Sequence, residues 1–185
     1  MRKTLDTIVM EVSKVIQAVD SDEVVALVEQ LKRANSIFVA GTGRSGLIGK
    51  AFAIRMMHSG YSVYVVGETI TPNMEADDVL LIISGSGNTG TLAYFAEKAT
   101  AIGATIALVT TNKQSVIAQY SNCVVEIPAA TKKRLQNEPA TIQPLGSQFD
   151  QSAHVVLDAV IAHVLQQEQW NKSNQVLSQK HANLE

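Results

Sequence analysis

The stretch SIFVAGTGRSG at residues 36–46 joins a short apolar run to a glycine-rich loop. The stretch VLLIISGSGNTG at residues 79–90 repeats this arrangement, with hydroxyl side chains among its glycines. Each apolar run predicts a buried strand, and helical spacing resumes after each loop. Apolar strands that alternate with helices indicate a parallel sheet covered by helices on both faces.

Five strands are predicted in all, and helices connect most of them. The strands are Ser36–Ala40, Ser62–Val66, Val79–Ile83, Thr105–Thr110 and Cys123–Ile127. The connecting helices are Ser45–Ser59, Thr89–Ile102 and a shorter one at Gln114–Tyr120, and two more helices, the second capped by Ser21, precede the sheet. After a long loop at Pro128–Gly146, a last helix carries apolar residues from Phe149 to Val164. We therefore expect an α/β fold, a three-layer αβα sandwich with a flavodoxin-like, five-stranded parallel sheet of order 2-1-3-4-5.

Length and composition limit the classes of function. A chain of 185 residues supports one domain over 1–185, with N-terminal helices at 1–34, an α/β core at 35–170 and a C-terminal tail at 171–185. The net charge of -2, without a dense Lys/Arg block, argues against nucleic acid or a membrane surface as a partner. The single cysteine, Cys123, excludes a disulfide framework. Without a signal peptide or an apolar run of about 20 residues, we expect a cytoplasmic protein.

The two glycine loops have the composition of an anion cradle. Glycine lets backbone N–H groups approach a ligand closely, the following helix adds positive potential, and Ser and Thr hydroxyls add donors. In a sheet of order 2-1-3-4-5 the two loops follow adjacent strands, so one phosphate could contact both. The alternative without a function is that each loop is only a tight turn between a strand and a helix, although such a turn needs fewer glycines than these loops contain.

A dinucleotide-binding domain is a second alternative. The first loop matches G-x-G-x-x-G, and Glu68 ends the next strand, where a ribose-binding acid would lie. This alternative gives the second glycine loop no role. It also requires a substrate domain for which the chain has little room.

Together with GETITP at residues 67–72, TIQPLGSQFDQ at 141–151 and the terminal HANLE, the loops resemble the 6-phospho-3-hexuloisomerase family, which has the sugar isomerase (SIS) fold. The resemblance implies interconversion of D-arabino-3-hexulose 6-phosphate and D-fructose 6-phosphate through a cis-enediolate, in formaldehyde fixation by the ribulose monophosphate pathway. It further implies a homotetramer with sites near subunit interfaces, a small-molecule phosphosugar as substrate, and no metal or organic cofactor.

The motif match also suggests individual roles. The phosphate contacts would be Ser45, Ser84, Ser86 and Thr89, with Gly43, Arg44, Glu68, Gly87 and Asn88 as weaker candidates for contact with substrate. The catalytic residues would be Asp150 and His181. A carboxylate can act as the base for proton abstraction beside a carbonyl, and an imidazole, which titrates near neutral pH, can move protons between hydroxyls.

Several points stay open on the residues alone. The family usually has glutamate at the position of Asp150, and Ser147-x-x-Asp150 also resembles a capping box, in which the acid only stabilises the helix. His181 lies in an aperiodic tail, which we expect to complete a neighbouring subunit's site. His58, His154 and His163 are isolated on helices and are interpreted as packing or surface residues. Another aldose–ketose phosphosugar isomerase and a non-catalytic phosphosugar-binding module remain alternative functions.

Overall fold

The computed structural model of the chain describes residues 1–167, 177–181 and 183. Its strands are β1 (Ile37–Gly41), β2 (Val63–Val65), β3 (Val79–Ile83), β4 (Thr105–Thr110) and β5 (Cys123–Glu126). They form one parallel sheet in the order β2-β1-β3-β4-β5. The predicted fold class and strand order are confirmed.

Helices cover both faces of this sheet. They are α1 (Arg2–Gln17), α2 (Ser21–Arg33), α3 (Gly43–His58), α4 (Gly90–Ile102) and α5 (Ser147–Gln167). On one face, Phe52 of α3 and Val160 of α5 belong to a buried cluster that also includes residues of α1 and α2. On the other face, Leu92 of α4 packs in a second buried cluster with Phe38 of β1. Burial of each such side chain contributes about 1.5–3 kcal/mol, so the two clusters hold the three layers together.

The predicted helix at Gln114–Tyr120 is wrong. The described chain there forms turns and only a short 3₁₀ helix at Ala118–Tyr120. The Ile117 N–H donates to the Gly87 carbonyl oxygen at 3.0 Å instead of to a carbonyl of its own turn. The Val116 N–H donates to the Asn88 side chain at 2.9 Å. Contacts with the second glycine loop therefore replace the hydrogen bonds that an α-helix would need.

The start of α2 also differs from the prediction. Its N-cap is Asp20, whose side chain accepts a hydrogen bond from the Asp22 N–H at 2.9 Å, whereas Ser21 is the first helical residue. Both residue types are good caps, so the sequence alone does not separate adjacent candidates. At α3, the helix begins at Gly43, inside the first glycine loop, and thereby places Ser45 in its first turn.

Two acids hold the long loop at residues 128–146, which contains no helix or strand. Glu138 accepts hydrogen bonds from both the N–H and the hydroxyl of Thr131, at 2.9 and 2.5 Å. Glu11 of α1 accepts bonds from Thr141 and Gln143. Burial alone would raise the pKa of Glu138. The hydrogen bonds from Thr131 and Leu135, together with the positive charge of the nearby Arg134, lower this pKa below the ordinary 4.5. The loop therefore depends on ionised carboxylates.

No helix within the described ranges is long and apolar enough to cross a bilayer. Each of the five α-helices instead contributes buried apolar residues to one of the two core clusters. The predicted boundary between core and tail at residues 170 and 171 lies outside the described residues.

Candidate functional site

The two glycine loops begin side by side at one edge of the sheet. Gly41 at the end of β1 pairs with Ile83 at the end of β3, so both chains leave the sheet at the same level. Ser45 lies in the first turn of α3, and Thr89 is the N-cap residue of α4. The Thr89 hydroxyl makes no capping hydrogen bond. Hydroxyls and the N-termini of two helices thus meet at one edge, which is the arrangement that an anion requires.

The second loop has a fixed shape. Ser84 is buried, and its Oγ accepts the Gly87 N–H at 3.2 Å. Gly87 has a φ of +63°, and a Cβ there would lie 2.1 Å from the Ser115 Oγ, so no other residue fits. The Thr111 hydroxyl donates to the Gly85 carbonyl oxygen at 2.8 Å. The loop is therefore organised before any ligand arrives, which lowers the entropic cost of binding.

Ser86 and Asn88 form the exposed part of the second loop. The Ser86 Oγ accepts the Asn88 N–H at 3.3 Å, and the Asn88 amide donates to the Ser86 carbonyl oxygen at 2.9 Å. Because the other end of the Asn88 side chain accepts from Val116, this side chain is engaged in shaping the loop. The Ser86 hydroxyl faces solvent and can reorient its proton toward a ligand.

Helix α5 brings a carboxylate to the first loop. Phe149 packs over Gly85, where a Cβ would lie 3.1 Å from the Phe149 ring. The next residue, Asp150, is only 5% exposed, and its two oxygens accept hydrogen bonds from the Ser45 hydroxyl at 2.9 Å and the Arg44 Nε at 3.0 Å. The Ser147 N–H donates to the Pro144 carbonyl oxygen, so the Asp150 carboxylate does not close the predicted capping box there. The structure thus brings together two predicted site residues that lie far apart in sequence.

Arg44 and Glu68 do not pair with each other. Arg44 contacts Asp150, whereas Glu68 forms an ion pair with Lys50 at 2.5 Å. Both side chains of the Glu68–Lys50 pair are about half exposed, at 51% and 54%, so solvent screens this pair. Lys50 could not be identified from the sequence, since a lone lysine on a helix carries no signal for its partner. Arg44 is 60% exposed and can turn toward a ligand.

A cavity of about 370 Å³ opens beside the second loop. Its wall includes Ser86 and Asn88 on the side of the loop, Asn112 and Gln114 after β4, and the pair Lys132–Lys133 from the long loop. These side chains are polar and suit the hydroxyls of a sugar. Asn112 and Gln114 are not among the predicted site residues, because the sequence pattern predicts a helix at Gln114–Tyr120 and gives no sign of a cavity edge there.

The chemistry of the donors suits an oxyanion. The described site contains hydroxyls, backbone N–H groups and one guanidinium around a single buried carboxylate. Among the described residues, no three His, Cys, Asp or Glu side chains are grouped as metal ligands. Phosphate is the biological anion that such hydroxyl-rich helix N-termini bind most readily.

His181 lies at the opposite end of α3 from Ser45. Its ring stacks on the ring of His58, the last residue of α3, with centroids 5.3 Å apart. Ser45 and His58 are separated by about 20 Å along the helix axis at 1.5 Å per residue. Within one chain, therefore, the structure brings Asp150 to Ser45 but does not bring His181 to either of them.

Comparison with known proteins agrees with these features. The SIS domain model matches residues 30–149, which include both glycine loops. A 3-hexulose-6-phosphate isomerase of Mycobacterium gastri is 40% identical over 178 residues, which cover 95% of this chain and 86% of that protein. The 3-hexulose-6-phosphate isomerase of Bacillus subtilis is 35% identical and aligns over 90% of this chain and 89% of its own. A Methanococcus jannaschii crystal structure, from which a function of 3-hexulose-6-phosphate isomerase was inferred, superposes with a TM-score of 0.85 at 29% identity over 99% of both chains. The SIS domain model covers more than half of the chain and both glycine loops, so the chain belongs to the SIS domain family.

Proposed function

We propose that this protein is an isomerase that interconverts D-arabino-3-hexulose 6-phosphate and D-fructose 6-phosphate. The observation that carries the proposal is the contact between the buried Asp150 carboxylate and Ser45 of the phosphate cradle. A carboxylate at that place lies next to any sugar whose phosphate occupies the loops. The names of the relatives in Mycobacterium gastri and Bacillus subtilis support the same reaction.

The reaction requires one base and one proton relay. Moving the carbonyl from C3 to C2 removes the proton on C2, forms a cis-enediolate, returns a proton to C3 and moves the hydroxyl proton from O2 to O3. Asp150 is assigned the transfer between the carbons, and His181 the transfer between the oxygens. Ser45, Ser84, Ser86 and Thr89 hold the phosphate, and the weaker contacts proposed for Gly43, Gly87 and Asn88 would be made at the same loops.

In this proposal a second copy of the chain supplies His181. The outer face of α3 exposes a stripe of apolar side chains, Leu47 at 65%, Ile54 at 48% and Met57 at 40%. Exposed apolar stripes of this kind are typical of subunit interfaces. If two copies pack their α3 helices antiparallel about a two-fold axis near Ala51, the His58–His181 end of one helix lies beside Ser45 of the other.

A second exposed apolar face supports a larger assembly. Helix α1 exposes Leu5, Val9 and Met10, at 50%, 67% and 56%. Two different two-fold interfaces, one on α3 and one on α1, are sufficient to build a tetramer with dihedral symmetry. We propose that one SIS domain spans the chain, that four copies associate, and that the enzyme acts in the cytoplasm within the ribulose monophosphate pathway.

The deciding experiment is deuterium exchange from solvent. In the reverse direction the base removes the C3 proton of fructose 6-phosphate, so the pure protein in D₂O should introduce deuterium at C3, as followed by NMR. Heat-inactivated protein is the control. Exchange at C1 instead would indicate an aldose–ketose isomerase. Binding of fructose 6-phosphate without exchange at either carbon, and without formation of the 3-ketose, would leave only a binding module.

A further inference from the structure

The end of α3 and the described C-terminal residues 177–181 meet at a pair of imidazoles. His58 is 5% exposed, and its ring lies against that of His181 with an interplanar angle of 29°. A cavity of about 300 Å³ borders the pair, and Ile161 and Leu165 of α5 line it together with Leu177. Leu177 and His181 of this segment therefore lie beside the end of α3 and the apolar side chains of α5.

A histidine at position 58 destabilises the fold relative to an apolar ring of the same size. The Nε2 atom of His58 is buried, and no described residue forms a hydrogen bond with it. A buried polar atom without a partner costs free energy that an apolar ring of the same size would avoid. Packing alone therefore favours phenylalanine over histidine, and the imidazole requires another explanation.

We propose that His58 is a positioning residue for His181. The neutral His58 ring holds segment 177–181 against α3 and α5, and acid releases the segment. The docking does not depend on the proposed enzymatic function. Its consequence for catalysis does rest on that function, since His181 is the residue that the docked segment would present to the neighbouring subunit.

The surroundings of His58 oppose a proton on its ring. Burial first, and then the positive charges of His181 and Arg55, lower the pKa of His58 below its ordinary 6.5. On the α5 side, His154 and Asp158 line a second cavity of about 230 Å³ with the same two imidazoles, but Asp158 pairs with His154 at 3.5 Å. Within the described residues, no carboxylate forms an ion pair with His58.

The direction of the pH effect follows from this environment. When the segment leaves, the His58 ring becomes hydrated and separates from His181, so its pKa returns toward 6.5. The released state then binds more protons than the docked state at pH values below 6.5. By linkage, docking is complete above pH 6.5 and weakens as the pH falls through and below that value.

The test follows contacts of the segment by NMR in the full-length protein. Methyl NOEs between Leu177 and Leu165 report docking, and protonation of an imidazole does not itself change them. NOEs inside the sheet core report the global fold. Between about pH 8 and pH 5.5 the equilibrium constant for docking in the wild-type protein should fall by up to about tenfold, which appears as a loss of Leu177–Leu165 intensity while the core NOEs persist. His58→Phe, which keeps an aromatic platform that cannot be protonated, should remain docked throughout. His163→Gln removes an imidazole elsewhere on α5 and should behave as the wild type.

Two outcomes would overturn the proposal. One is wild-type NOEs that do not change over this pH range, and the other is a His58→Phe protein that loses them in acid as the wild type does. In a parallel assay, kcat of the wild type should fall in acid more steeply than kcat of His58→Phe, with KM unchanged. A protein that shows the docking transition but never isomerises the sugar phosphate would refute the proposed function and not the docking.

Discussion

Replacing Asp150 by asparagine separates a catalytic carboxylate from a structural one. Asparagine keeps the size of the side chain, one acceptor oxygen and the place in the first turn of α5, but it cannot accept a proton from carbon. In the structure the two carboxylate oxygens accept from Arg44 and Ser45. An asparagine oxygen can still accept from Arg44, and its amide can donate to the Ser45 Oγ.

The structure therefore predicts a large loss of activity and a small loss of stability. Removal of a general base costs about 10²–10⁴-fold in kcat. The ion pair with Arg44 becomes a hydrogen bond from a charged donor to a neutral acceptor, at a cost of about 1 kcal/mol or less, because Arg44 is 60% exposed and solvent screens the pair. For a chain of this length that cost lowers Tm by only ~2–4 °C. KM should change little, since the phosphate cradle is intact.

The assay is deuterium exchange into fructose 6-phosphate, combined with thermal melting of each variant. Asp150→Glu should retain much of the activity, because it restores the residue that the resembling family usually carries. Asp77→Asn, an exposed aspartate before β3 at the opposite edge of the sheet from the glycine loops, is the matched control and should turn over normally. If Asp150→Asn isomerised at the wild-type rate and only melted lower, the carboxylate would be structural, and the base would have to be sought elsewhere, at Glu68 first.

Three further predictions concern the cradle, the assembly and the long loop. Ser84→Ala should raise KM by about tenfold or more, because a hydrogen bond to a charged phosphate contributes about 1.5–3 kcal/mol. The control Ser13→Ala on α1 should leave KM unchanged. Equal KM values for the two variants would show that this loop does not bind the phosphate. In an equal mixture of inactive Asp150→Asn and inactive His181→Asn subunits, statistical exchange should give both wild-type residues to about a quarter of the sites, and the activity should recover accordingly. No recovery after proven subunit exchange would mean that each chain builds its own site. The pKa of Glu138 is lowered, so its contribution to stability is complete above pH 4.5 and is lost as the pH falls through the lowered value. Glu138→Gln should therefore lower Tm at pH 7 and flatten its decline below pH 4.5, and identical melting profiles would contradict this role.

The central strands could be predicted because their residues are almost all buried. Val79–Ile83 is buried at all five positions, so its apolar run is uninterrupted and its predicted bounds equal the observed ones. The strand Thr105–Thr110 is predicted with the same success. Both glycine loops were also predictable, because a glycine-rich segment directly after a buried strand has few structural alternatives to a loop.

The failures concern contacts between distant parts of the chain. The predicted helix at Gln114–Tyr120 competes with hydrogen bonds to Asn88 and Gly87, which no local pattern reveals. For the same reason the sequence does not reveal the ion-pair partners of Arg44 and Glu68, which are Asp150 and Lys50. His58 is buried, in agreement with its interpretation as a packing or surface residue, but its contact with His181 could not be predicted, because an aperiodic tail gives no indication of where it returns to the fold.

The packing of Phe149 over Gly85 has an evolutionary consequence. The ring occupies the space that any side chain at position 85 would need, and Asp150 follows directly in the chain. A larger residue at 85 would push the start of α5 outward and carry the carboxylate away from Ser45. Positions 85 and 149 should therefore covary: homologues with a side chain at the first should carry a smaller residue at the second. A family alignment in which both positions are large in the same active enzymes would show that the base can be placed without this contact.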